Sequence, residues 1–270
     1  MRKKYLLPAL LAALAPAAAQ SAPAEHSLTV RIFKGQAEYT QVLQVQEDRQ
    51  LSFVGPAGDK ELIFHGLLAR AEDPAHFSLQ YQLELSDGRS AGGRSIQALG
   101  ELALRPGSNM TVLESGPWAV RIALDAKKNA RRTPWNEKGL PNYRLTADVY
   151  AGTYKQSCRL TTKAGIQSNV TDGMRGAHKT GFIFTAYLKP GDTAGSFDLQ
   201  YQIEQSLHSP ERPFQLQNLA TLVPGKNRHV AGKGYRIDLL LEGGAPAQPA
   251  RGAAAKPRGK NSYGVVPLIE

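Results

Sequence analysis

Cysteine occurs once in the 270 residues, at Cys158. One thiol cannot form an intrachain disulfide, so any folded unit here must be held by burial of apolar surface, although small exported domains often lean on disulfides. Its setting, "YKQSCRLTT", alternates in character and places Cys158 at a half-buried strand position rather than at a reactive one. Aromatics are also scarce, at 7%, and Trp118 and Trp135 are the only tryptophans, which argues against a carbohydrate site built on stacked rings. No segment longer than about ten residues carries a 3.6-residue apolar period, so helices are not expected.

Chemical motifs are missing too. The histidines, His26, His65, His76, His178, His208 and His229, fall in no HExxH pattern and have no CxxC partner, so no metal site is expected. No GxSxG elbow occurs, and "GPAGDK" lacks the spacing of a phosphate-binding loop and reads as a turn. The adjacent acids Glu47-Asp48 and Glu72-Asp73 would point to opposite sides of an extended chain and cannot cooperate across a substrate. The expectation is a protein that is not an enzyme, with no catalytic residue and no cofactor.

Long apolar runs are confined to the N-terminus. "MRKKYLLPALLAALAPAAAQ" has a cationic start, an apolar run of about 15 residues, and small residues at Ala17 and Ala19. This is the layout of a secretory signal peptide, residues 1–19, cut after Ala19. The run is short of the roughly 20 residues that span a bilayer. Export to the periplasm or beyond is expected, with no transmembrane segment after cleavage, no lipid anchor, and no nucleic acid as partner.

What the sequence does have is an echo. "FSLQYQLELS" at Phe77–Ser86 returns as "FDLQYQIEQS" at Phe197–Ser206. Upstream, "LTVRIFKG" (Leu28–Gly35) returns as "LTADVYAG" (Leu145–Gly152). Downstream, Pro106-Gly107 returns as Pro224-Gly225, each followed by a valine, Val112 and Val230. A domain of about 100 residues has been duplicated in tandem, over 28–125 and 145–242, after a lead-in at 20–27. This period is too long for a solenoid and long enough for each copy to own a core.

Within the echo, Phe77, Leu79, Tyr81, Leu83 and Leu85 alternate with polar residues, the period of a strand with one wet face. Comparable runs separated by Gly/Pro/Asp turns give about seven short strands per copy. The fold class expected is all-β: two tandem antiparallel β-sandwiches, immunoglobulin-like in the loose architectural sense, with a small barrel as the competing arrangement. The repeated polar face, Gln80, Gln82 and Glu84 with Gln200, Gln202 and Glu204, is either a solvated surface or a binding stripe presented twice.

Charge is unevenly spread. Residues 20–125 hold 9 basic and 13 acidic side chains, net −4, and 145–242 hold 11 and 8, net +3. The linker 126–144 has 6 and 1, with Lys127, Lys128, Arg131 and Arg132 around Trp135. These four residues are the candidate contact for an anionic lipid or glycan surface. The tail, 243–270, is too poor in apolar residues to fold until "SYGVVPLIE". Tyr263, Val265, Val266, Leu268 and Ile269 there form a candidate docking peptide, able to add a strand to a partner's sheet or to tuck back. Together these features point to an exported protein-binding or assembly-accessory protein of the bacterial cell envelope. The alternatives are an envelope polymer or glycan binding module and, behind both, an extracytoplasmic enzyme or enzyme inhibitor.

Overall fold

The computed structural model describes residues 25–87, 93–125, 140–152, 154–174, 181–206 and 214–243. The signal segment, Lys127, Lys128, Arg131 and Arg132, and the terminal Tyr263, Val265, Val266, Leu268 and Ile269 lie outside the described residues.

Sixteen strands and no helix make up this part of the chain. The first repeat holds β1 (Glu25–Lys34), β2 (Ala37–Gln46), β3 (Gln50–Ala57), β4 (Lys60–Arg70), β5 (Phe77–Ser86), β6 (Arg94–Leu104), β7 (Asn109–Ser115) and β8 (Trp118–Leu124). The second holds β9 (Asn142–Ala151), β10 (Tyr154–Lys163), β11 (Gln167–Met174), β12 (Gly181–Pro190), β13 (Phe197–Ser206), β14 (Phe214–Leu222), β15 (Asn227–Gly232) and β16 (Tyr235–Gly243).

Each repeat therefore has eight strands where about seven were expected. In the first repeat one strand extends into "GPAGDK", which was expected to be a turn. β3 runs on through Gly55 and Pro56 to Ala57, and only Gly58-Asp59 turn, with Gly58 at φ 67°. Pro56 is tolerated because β3 is the last strand of its sheet, where a missing donor costs no ladder bond on the open side.

The topology repeats strand for strand. In the first repeat the β1–β2 hairpin lies in one layer, β3 to β6 meander through the other, and β7–β8 returns to set β8 against β1. β9 to β16 do the same, with β16 against β9. A bulge at Thr111/Leu113 places Leu113, not Val112, in register with Val230, so the matching valines of the sequence echo are one residue out of step.

The repeats share their sheets. β7 pairs with β10 through Leu113↔Leu160, Glu114↔Arg159 and Ser115↔Cys158. β6 pairs with β11 from Arg94↔Met174 to Leu99↔Asn169. The result is two eight-stranded antiparallel sheets, β15-β16-β9-β10-β7-β8-β1-β2 and β14-β13-β12-β11-β6-β5-β4-β3. The open sheets establish sandwiches and remove the barrel alternative.

One core fills the space between the layers and runs through both repeats. Phe64 and Phe184 occupy equivalent places on β4 and β12 and are both fully buried. Burying a side chain of this kind contributes about 1.5–3 kcal/mol, which takes the place of the missing disulfides. Cys158 is itself fully buried rather than half-buried, because strand β7 covers the edge on which it sits. Burial pushes its thiol well above the usual range, so it stays protonated and is a poor nucleophile.

Candidate binding surfaces

The strand register turns the two polar stripes into one surface. Across the second sheet, one row of paired positions reads Ser52, His65, Gln82, Leu99, Asn169, Thr185, Gln202 and Gln217. The neighbouring row runs Gln50, Leu67, Gln80 and Glu101 in the first repeat, and Tyr187, Gln200 and Leu219 in the second. These positions share the outer face because Tyr81, Leu83, Tyr201 and Ile203, one residue along, point inward and are buried.

Between β3 and β11 this face dips into a shallow groove of about 520 Å³. Gln50, Gln80, Gln82, Gln167, His65 and Glu101 line it, with Leu99 and Ile166 as its apolar patches. Gly66 and Gly100 flank Tyr81 in the register; the missing side chain of Gly100 leaves room for the Tyr81 ring, and that of Gly66 leaves room for the ring of Phe64. The Tyr81 hydroxyl is pushed up by burial and stays neutral.

Glu101 anchors the rim. Its carboxylate accepts hydrogen bonds from Ser78 Oγ, Gln80 Nε2 at 3.3 Å and, across the seam between repeats, Lys163 Nζ. Burial would raise this carboxyl, but the Lys163 and Ser78 bonds outweigh it and hold the group below the ordinary range. It is an ionised, positioned acceptor rather than a proton donor. On the row that contains Leu99, Asn169 donates to its neighbour Thr185 Oγ1 at 2.7 Å.

A second kind of surface is the ends of the sheets. Among the described residues, β2 and β3 close one end, and β14 and β15 the other, each with one strand edge lacking a described strand neighbour. Among the described residues, four of the five large exposed apolar side chains, Val42, Val54, Leu219 and Val223, lie at these ends. Val54 is 60% exposed and Leu219 56%. Tyr39, Phe53, Phe214, Leu216 and Val230 add half-buried apolar surface there. Unpaired edges with apolar side chains are places where a further strand can add.

No described group of three or more His, Cys, Asp or Glu is arranged to hold a metal ion. His26 joins Asp125 at 2.7 Å and Glu47 at 2.9 Å, in a cluster that ties β1 to the end of β8. The adjacent acids Glu47 and Asp48 sit differently from one another: Glu47 binds Arg70 and His26, while Asp48 turns the chain between layers at φ 57°. At the seam Asp172, 4% exposed, lies 3.5 Å from Arg94 and 3.4 Å from Ser115 Oγ.

The groove was half legible: Gln80 and Gln82 belong to the stripe seen in sequence, whereas Gln50, Gln167, Glu101 and Lys163 come from distant segments with no pattern of their own. Compared with family models, with curated proteins and with solved structures, the chain finds no match.

Proposed function

We propose that this is an exported, non-enzymatic protein of the bacterial cell envelope that binds other proteins and assists their assembly, using its sheet ends as docking edges. The observation that carries the reading is the concentration of exposed apolar side chains, Val42, Val54 and Leu219 on strands that end a sheet among the described residues, with Val223 just past the end of β14. Strand addition supplies affinity through main-chain hydrogen bonds, and pockets for alternate side chains supply selectivity. The signal-like N-terminus and the apolar terminal peptide fit the same role. Edge blocking tests it. Val54→Lys and Leu219→Lys, made together in the exported protein, should abolish cross-linking to envelope proteins while leaving the far-ultraviolet spectrum unchanged. Undiminished cross-linking would sink the edge as the docking surface.

A second reading, a module for an envelope polymer or glycan, draws on the amide-lined groove. Four glutamines, His65 and the ionised Glu101 offer donors and acceptors suited to hydroxyls and amides. Titration with soluble peptidoglycan fragments, comparing the native protein with Gln80→Ala and Gln82→Ala, separates the two. Binding lost in these variants supports the groove, and no binding by the native protein removes it.

A further inference from the structure

We infer that the partner at the sheet ends is a second copy of this chain, added head to tail so that β14–β15 of one molecule continues into β2–β3 of the next. This rests on the reading of the ends as docking edges and names their occupant.

The molecule already contains the junction. Within the chain, the β6–β7 edge of the first repeat is joined to the β10–β11 edge of the second. By strand order, β14–β15 is the second repeat's counterpart of β6–β7, and β2–β3 is the first repeat's counterpart of β10–β11. The two free ends are thus the same two edge types that meet at the seam. An interface of this kind is heterologous, and adding a molecule leaves the same two edges exposed, so growth ends only by ring closure.

Residue by residue, the ends have been adapted together. The seam pair Arg159–Glu114, bonded at 3.0 Å, corresponds to Val42 on β2 and Ala231 on β15. A cation and an anion have been exchanged for two apolar side chains, one on each edge. The buried seam pair Val170↔Ala98 corresponds to Phe53 and Leu216, both half-buried at the free ends. Glu101, which holds Lys163 across the seam, corresponds to the exposed Leu219.

Charge sets the direction. Residues 37–57, which make up β2, β3 and their turn, carry Glu38, Glu47 and Asp48 against Arg49 alone. Residues 214–232, which make up β14, β15 and their turn, carry Lys226 and Arg228 and no acid. An acidic end meets a basic one in head-to-tail addition, whereas like ends repel.

Transferring the seam register gives the contact: Ser52 opposite Gln217, Phe53 opposite Leu216, and Val54 opposite Gln215. The double variant Ser52→Cys/Gln217→Cys, in the exported full chain under mild oxidation, should yield a ladder of covalent dimers, trimers and higher multimers. Cys158 is buried and does not compete. Ser52→Cys/Thr221→Cys, four residues out of register, should stay monomeric, and adding Val54→Lys to the first variant should erase its ladder. Sedimentation of the unmodified protein should show mass rising with concentration and falling with salt. A monomer at every concentration with no ladder, or equal ladders from both cysteine pairs, overturns the proposal. Hydrogen exchange with envelope proteins added then separates the causes. Protection of β2, β3, β14 and β15 without a ladder removes only the self-partner, and neither protection nor ladder removes the docking edge as well.

Discussion

Arg159 Nη1 donates to Glu114 Oε2 at 3.0 Å, and the two residues stand opposite each other where β10 meets β7. They belong to different repeats, so the ion pair spans the junction. Both are partly exposed, and their mutual contribution falls in the range of about 0–1 kcal/mol for surface pairs. Glu114→Ala should therefore lower stability by about 1 kcal/mol or less in urea unfolding. A larger loss would mean that the polar rim, not the apolar layer beneath, holds the repeats together.

Beneath that pair the junction is apolar. Val170, 1% exposed, faces Ala98 across β11 and β6. An unpaired carboxylate there costs several kcal/mol. Since one core serves both repeats, the native protein should melt in a single transition, while Val170→Asp should separate it into two. Far-ultraviolet dichroism together with the fluorescence of Trp118, buried in the first repeat, reads both.

Phe64 and Phe184 should respond alike. Truncating either to alanine removes a fully buried ring and should cost about 3–5 kcal/mol. Unequal losses beyond about 1 kcal/mol would show that the two halves of the core differ in how far they collapse around a cavity.

His26 makes stability depend on pH near neutrality. Burial would lower this imidazole, but bonds to Glu47 and Asp125 raise it above 6.5. Its contribution is complete below the unfolded value and is lost as pH rises through the raised folded one. Urea midpoints should fall across that window, and His26→Gln should flatten the fall. An unchanged slope in the variant would assign it to other groups.

Asp172 acts at lower pH. Burial raises its carboxyl above 3.8, and Arg94 and Ser115 offset this only in part. The native state then holds a proton that the unfolded chain has released, so stability drops as pH climbs from about 4 through the folded value. Asp172→Asn should remove that segment of the profile and leave the His26 segment intact.

The strands were legible because a two-residue apolar period survives along them; "FSLQYQLELS" alone places ten residues on two faces. Joining of the repeats was harder to read, since edge pairing is made by main-chain hydrogen bonds common to every residue. One trace exists in the side chains. The seam strand β6, "RSIQALGELAL", is buried at most positions on both faces from Gly100 onward, whereas its counterpart β14, "FQLQNLATL", is largely exposed. The end of β3 was read as turn because Gly55-Pro56 is turn chemistry in isolation and becomes strand only at a sheet end. Glu101 and Lys163 lie 62 residues apart and meet only after the repeats have joined.

Cys158 lies wholly buried opposite Ser115 at that junction. A thiol reagent reaches it only in the moments when β7 lifts away from β10, so its labelling rate clocks the parting of the two halves. Local opening of this kind has its own free energy, distinct from that of global unfolding. The lone sulfur is a natural stopwatch for the seam, readable in the unaltered protein.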